Sequence, residues 1–312
     1  MPRRPPSPFS QLDAFFRTVG RRFGAMFLAA FLAAAALPSI AAEPADSVAL
    51  FTALAKPALL PNRIEWREAR ATGPSSLVLS EVVLRLAPNP LWPEGYPIRI
   101  ARATIEDIDF ESLRQRLAPL RLRLRLDGIS ASAAALGLQH LGQAPLRGSA
   151  LLDYRAEPGK GVRVQHLSLE LASLGRLDTA LDLGGSGARS GRLNVDTFDT
   201  LTLRSGWLSY EDASLLRKLV AAEAERRHVK EGTVVAEWSL VLGVALMREG
   251  EGGLQPLNAL LAYLKDYRAP KGPLRISFAA SPGRPDGLPL ASLIYGGALA
   301  ALGAKVTYAG AE

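Results

Sequence analysis

At 312 residues, 48% of them hydrophobic and 21% charged, the chain can bury a sizeable core and has the balance of a folded protein. It has no cysteine, which excludes disulfides, thiolate metal sites and cysteine nucleophiles. The net charge is +7, but Arg3, Arg4, Arg17, Arg21 and Arg22 against Asp13 place four of those charges before residue 42 and leave three for the rest, so no nucleic-acid partner is expected.

Residues 1–24 are polar, proline-rich and basic, with Arg21 and Arg22 directly before an apolar run of 13 residues at 25–37. Ser39 and Ala41 fit the small-residue preference for cleavage after Ala41, the pattern of a secretory signal peptide. Counted to Ala42 the apolar stretch reaches 18 residues, the lower limit for a span, so an uncleaved inner-membrane anchor is the rival reading for residues 1–41. Arg21-Arg22-Phe23 is only a fragment of a twin-arginine signal. Either way the remainder is expected outside the cytoplasm, in the periplasm, soluble after cleavage or anchored to the inner membrane.

Residues 46–56 read as a short helix with Asp46 or Ser47 as N-cap, ending before Pro57. Alternation then points to strands. It pairs Ile64 with Trp66, runs through Val82, Leu84 and Leu86, and returns at Ile98 and Ile100. The strictest case is Leu120-Arg121-Leu122-Arg123-Leu124-Arg125-Leu126, opened by Pro119 and closed by Asp127-Gly128. A helix would scatter these leucines around its circumference, whereas a strand puts them on one buried face and the arginines on one wet face. Residues 146–155 and 162–171 form a hairpin across Glu157–Gly161, residues 175–183 alternate again, and Leu201, Leu203 and Trp207 continue the pattern. Such closely spaced strands imply antiparallel pairing.

The period changes at Asp212, the expected N-cap of a helix over 213–230 that Gly232 breaks. Residues 233–248 carry a helical period, although their β-branched residues suit a strand as well. A helix at 256–267, a strand at 273–279, a helix at 289–302 and a strand at 304–308 follow. The expected fold class is α+β and mainly β: a long, twisted antiparallel sheet over 42–210, curled or groove-like, with a helical cap over 211–312 that shares its core.

The strand-rich part, with its recurring Leu-x-Leu-x-Leu and Leu-x-Gly phrases, resembles AsmA-like envelope proteins of Gram-negative bacteria. The phrases that match are Ile98–Phe110, Leu120–Ile129 and Val164–Leu183, and the run Leu208–Leu219 before the helices looks like a C-terminal cap. The resemblance implies a periplasmic twisted sheet that curls into an apolar groove for lipid. It implies no catalytic residue and no cofactor.

The candidate functional residues follow. Leu120, Leu122, Leu124 and Leu126 are the expected lining of an apolar groove. Arg121, Arg123 and Arg125 either meet anionic headgroups or form a solvated face with cross-strand partners among Glu106, Asp107, Asp109 and Glu111. The second reading is favoured, because seven arginines face five acids within 97–127. Trp92 and Tyr96 lie in a loop with four prolines at 88–97 and suit either a membrane interface or the end of a sheet. Asp107, Asp109 and Glu111 alternate like calcium ligands but lack the glycine and final glutamate of such a loop. His140, His166 and His228 stand far apart, and no nucleophile elbow, Walker loop or dinucleotide fingerprint is present. The expected role is therefore non-enzymatic, a lipid or apolar-ligand binding or transfer module, or else a scaffold for another envelope protein. An enzyme acting on envelope glycans or lipids ranks behind both.

Overall fold

The structure is a computed structural model that describes residues 47–58, 62–86, 96–114, 119–133, 144–185, 200–247, 254–280, 286–290 and 302–309. Its strands are β1 (Arg63–Glu65), β2 (Glu68–Gly73), β3 (Ser76–Leu86), β4 (Tyr96–Glu106), β5 (Arg121–Ala131), β6 (Leu146–Glu157), β7 (Gly161–Leu171), β8 (Gly175–Gly185), β9 (Leu201–Asp212), β10 (Leu274–Ala279), β11 (Leu288–Pro289) and β12 (Lys305–Thr307). The helices are α1 (Ser47–Ala58), α2 (Phe110–Arg114), α3 (Leu215–Arg227), α4 (Glu231–Met247) and α5 (Leu254–Lys265). The fold is α+β, strand-rich, with one large open antiparallel sheet.

Sheet order follows chain order from β3 to β10. At one edge β1 and β2 share the flank of β3, while at the other β10 and β11 share the flank of β9 and β12 pairs with β10. Every pairing is antiparallel, and the three-residue turns at 158–160 and 172–174 allow nothing else for β6, β7 and β8.

Alternation alone would not keep one face apolar along these strands. In β3 the apolar phase slips by one residue between Leu79 and Val82, in β4 between Ile100 and Ala103, and in β5 between Leu126 and Ile129, all at one level of the sheet. Glu81 (φ 51°) and Gly128 (φ 67°) take left-handed conformations at that level. A Cβ on Gly128 would stand 2.7 Å from the Cβ of Ala101, so only glycine fits. Further shifts fall in β7 after Val164 and in β9 between Leu203 and Ser205, each returning the leucines to one side. Slips of this kind also strengthen the right-handed twist of a sheet.

The main core runs from Leu50, Phe51 and Leu54 of α1 through Leu77, Ile98, Leu122, Leu152, Tyr154, Val162 and Leu183 to Leu288 and Leu302. α1 packs beside β2 and β3 and on α2, with the Phe51 and Trp66 rings 5.9 Å apart. α5 packs on β10 and β12, where Tyr263 meets Tyr308 edge-on at 5.2 Å. α3 and α4 are joined by Arg227, whose guanidinium reaches both carboxylate oxygens of Glu237.

Several boundaries differ from expectation. α1 runs through Pro57 to Ala58, and Ser47 donates to the Gly73 carbonyl at 3.5 Å instead of capping. α3 starts at Leu215, and Asp212 still serves it by accepting from the Leu216 amide at 3.1 Å. That helix ends at His228, whose left-handed conformation (φ 54°) turns the chain, while Gly232 lies inside α4. Residues 231–247 are helix, which removes the strand alternative. Leu288–Pro289 is strand where a helix was expected to begin, and 291–301 lie outside the described residues. After β4, Ile108 is buried and Phe110 opens α2.

Candidate functional site

The leucines of β5 belong to rows that cross the whole sheet. Leu124 faces Ile105 on one side and Leu152 on the other, and Leu152 faces Leu167. Leu126 lies between Ala103 and Ala150, and Leu122 faces Tyr154. Leu122 is buried, 8% exposed, whereas Leu120, Leu124 and Leu126 are half-buried and pack against the core. Val164, Leu167 and Leu181 are half-buried in the same way. Of the described helices, α1 packs at β2 and β3, α5 packs at β10 and β12, and α2, α3 and α4 pack chiefly on other helices. The middle strands therefore carry apolar side chains that the described elements cover only in part.

The arginines of β5 divide between different ladders on the opposite face. Arg123 stands between Glu106 at 3.8 Å and Asp153 at 4.0 Å, partners set by register in β4 and β6. Asp153 in turn faces His166, whose Nε2 lies 3.1 Å from Asp178 Oδ1. Arg176 donates to both oxygens of Asp178, at 2.7 and 3.0 Å. Burial works against the Asp178 charge, but hydrogen bonds from Arg176, His166 and Ser168 outweigh it and hold the carboxyl below its usual range. Arg125 pairs with Asp127 at 3.1 Å. Arg121 faces Arg155, which faces Arg163.

Asp109 holds a structural post. Its carboxylate accepts from the amides of Glu111 and Ser112 at 3.1 and 3.2 Å and from the Ser112 hydroxyl at 2.5 Å, capping α2. Burial is outweighed by these bonds and one from the Leu120 amide, so the carboxyl sits below its usual range. Asp107 is in a left-handed conformation (φ 56°), and no group of three metal-ligating side chains occurs among the described residues. His228 ends α3, and His140 lies outside the described residues. So does Trp92. Tyr96 is the first residue of β4, opposite Leu86, and its half-buried ring packs on the core. Among the described residues no helix is long and apolar enough to cross a membrane, and residues 25–42 lie outside them.

Comparison of the chain with protein-family models and with curated proteins finds no match.

Sequence reasoning missed Asp153 and Asp178 as partners on the polar face, and Arg155 and Arg163 as neighbours of Arg121. The Glu157–Gly161 turn carried half of this information, since a tight hairpin there sets Arg155 against Arg163. The pairing of Arg121 with Arg155 spans a connection whose length fixes no register.

Proposed function

We propose that the protein is an exported envelope protein whose sheet curls into a groove that binds or carries acyl chains or a similar apolar ligand. In this reading Leu120, Leu122, Leu124 and Leu126 line the groove, and α3–α5 cap one end. The supporting observation is the row Ile105, Leu124, Leu152, Leu167: it is continuous across four strands, yet Leu124 and Leu167 stay half-buried. A core with no other task buries such side chains fully, because each leucine left half-wet forgoes on the order of 1 kcal/mol. The leader at 1–41 supports export, with the chain released after Ala41 or held at the inner membrane. No catalytic residue or cofactor is part of the reading.

The test is native mass spectrometry and solvent extraction of the purified protein, with a fluorescent fatty acid titrated against it. Copurified lipid, saturable binding and weaker binding by Leu124→Asn/Leu126→Asn are expected. A lipid-free protein that binds nothing saturably rules the reading out.

A second reading, a scaffold for another envelope protein, is favoured by α4. Leu240 (69% exposed) and Met247 (59% exposed) lie seven residues apart on one helical stripe. In-cell crosslinking from position 240 would then trap one defined protein, and lipid would be absent.

A further inference from the structure

Arg121, Arg155 and Arg163 are direct cross-strand neighbours on β5, β6 and β7, so their side chains rise from the same face in one row. All three are exposed, and among the described residues none makes an ion pair within 4.0 Å. Strands lie about 4.8 Å apart, which spreads the three guanidiniums over about 10 Å. Like charges set opposite one another repel, and an anion lying across them relieves that repulsion.

The surroundings decide which anion. The row sits at the strand ends beside the β6–β7 turn, where Lys160 projects with its side chain 81% exposed. Lys160 holds the Glu157 carboxylate at 2.9 Å, so the nearest acid on the turn is already paired. Asp182 faces Arg163 from β8, and Asp153 lies two residues along β6 from Arg155. Carboxylates thus bound the patch on the sheet side, and Glu106, Asp153 and Asp178 continue along the face. A long polyanion laid on the sheet would run onto them. A flat anionic surface met end-on by the turn would meet the three arginines and Lys160 with one carboxylate among them, Glu157, which Lys160 already pairs and which also feels Arg155 and Arg163.

We propose that the Arg121–Arg155–Arg163 row, with Lys160, docks this end of the sheet on the phosphate headgroups of an anionic phospholipid bilayer. This goes beyond the groove reading and does not depend on it, since it uses the opposite face. Guanidinium and phosphate match as bidentate partners, and each basic residue near such a surface contributes about 1 kcal/mol, roughly fivefold in binding.

The test is cosedimentation of the full chain with phosphatidylcholine vesicles, with and without a minority of phosphatidylglycerol. The apolar segment at 25–37 acts on both vesicle types and its five flanking arginines add to the gain on phosphatidylglycerol, so the basic row is read as the difference in that gain between the wild-type chain and the variants. Arg121→Gln/Arg155→Gln/Arg163→Gln should cut that gain by roughly fivefold for each arginine removed, and high salt should abolish it. A control triple, Arg102→Gln/Arg123→Gln/Arg125→Gln, should keep most of it. An unchanged gain in the first triple, or an equal loss in the control, overturns the proposal. So does displacement by inorganic phosphate beyond that of chloride at matched ionic strength, which would mark a phosphate pocket and not a surface. Should the triple variant fail to fold, Arg155→Gln alone carries the test, with a roughly fivefold loss expected and no loss overturning it.

Discussion

The hydroxyl of Tyr154 donates a 2.8 Å hydrogen bond to the carbonyl of Pro119, 35 residues away in the chain. Tyr154 is 1% exposed, and its neighbour Ala156 donates its amide to Leu120. Together they fix where β5 begins, and with it the phase of every leucine that follows. Burial, then the charge of Asp109, pushes the phenol above its ordinary range, so at neutral pH it is a donor. Tyr154→Phe keeps the ring and strands the Pro119 carbonyl. It should cost about 1–3 kcal/mol in urea denaturation, a buried acceptor's desolvation, and a loss well below that range would show that water reaches the carbonyl.

Gly128 sits at the level where β3, β4 and β5 all change phase, in a left-handed conformation facing Ala101. Gly128→Ala combines an unfavourable φ, about 1–2 kcal/mol, with a Cβ contact that must be relieved. Ala101→Gly removes the second effect only. The double variant should therefore recover part, not all, of the lost stability, measured by thermal melts of the single and double variants. Strict additivity of the two substitutions would mean the close approach does not matter.

That slip marks the limit of what periodicity could reveal. Each run of alternation was legible on its own, as were the antiparallel pairing, the hairpin at Glu157–Gly161 and the change of character at Asp212. The one-residue offsets joining the runs were not, because they depend on φ at Glu81 and Gly128 and on register between strands. α2 was hidden for a related reason. Asp107, Asp109 and Glu111 keep a strand-like spacing, yet the Asp109 carboxylate draws the amides of Glu111 and Ser112 into a helical turn. On the polar face the arginine run was plain but its partners lay on other strands. Sequence spacing groups Arg121 with Arg123 and Arg125, whereas cross-strand register groups it with Arg155 and Arg163.

Adjacent residues of β5 should respond to substitution in opposite ways. Leu122 is buried opposite Tyr154, so Leu122→Arg places a charge without a partner in the core and should cost several kcal/mol. Arg123 is exposed, and its acids stand at 3.8 and 4.0 Å. Arg123→Leu should shift stability by about 1 kcal/mol or less, the usual worth of a surface pair. Urea midpoints of the two variants decide the matter, and equal small shifts would mean the alternation does not mark a buried face.

Acid should weaken the fold partly through Asp109. Burial raises its pKa, but the bonds from Ser112, Leu120 and Glu111 more than compensate, so the folded value lies below the ordinary 3.8. A carboxyl depressed by folding stabilises the protein above its unfolded pKa, and that contribution is lost as pH falls through the folded value. Asp109→Asn cannot titrate and keeps only a neutral acceptor for the same amides. The stability gap between wild type and variant should be widest near neutrality, begin to narrow around pH 4 and close further below it. Urea denaturation at a series of pH values measures the gap. A gap of constant width down to the acid limit of the fold would mean that the charge on Asp109, as distinct from its hydrogen-bonding shape, contributes nothing to holding α2 against the start of β5.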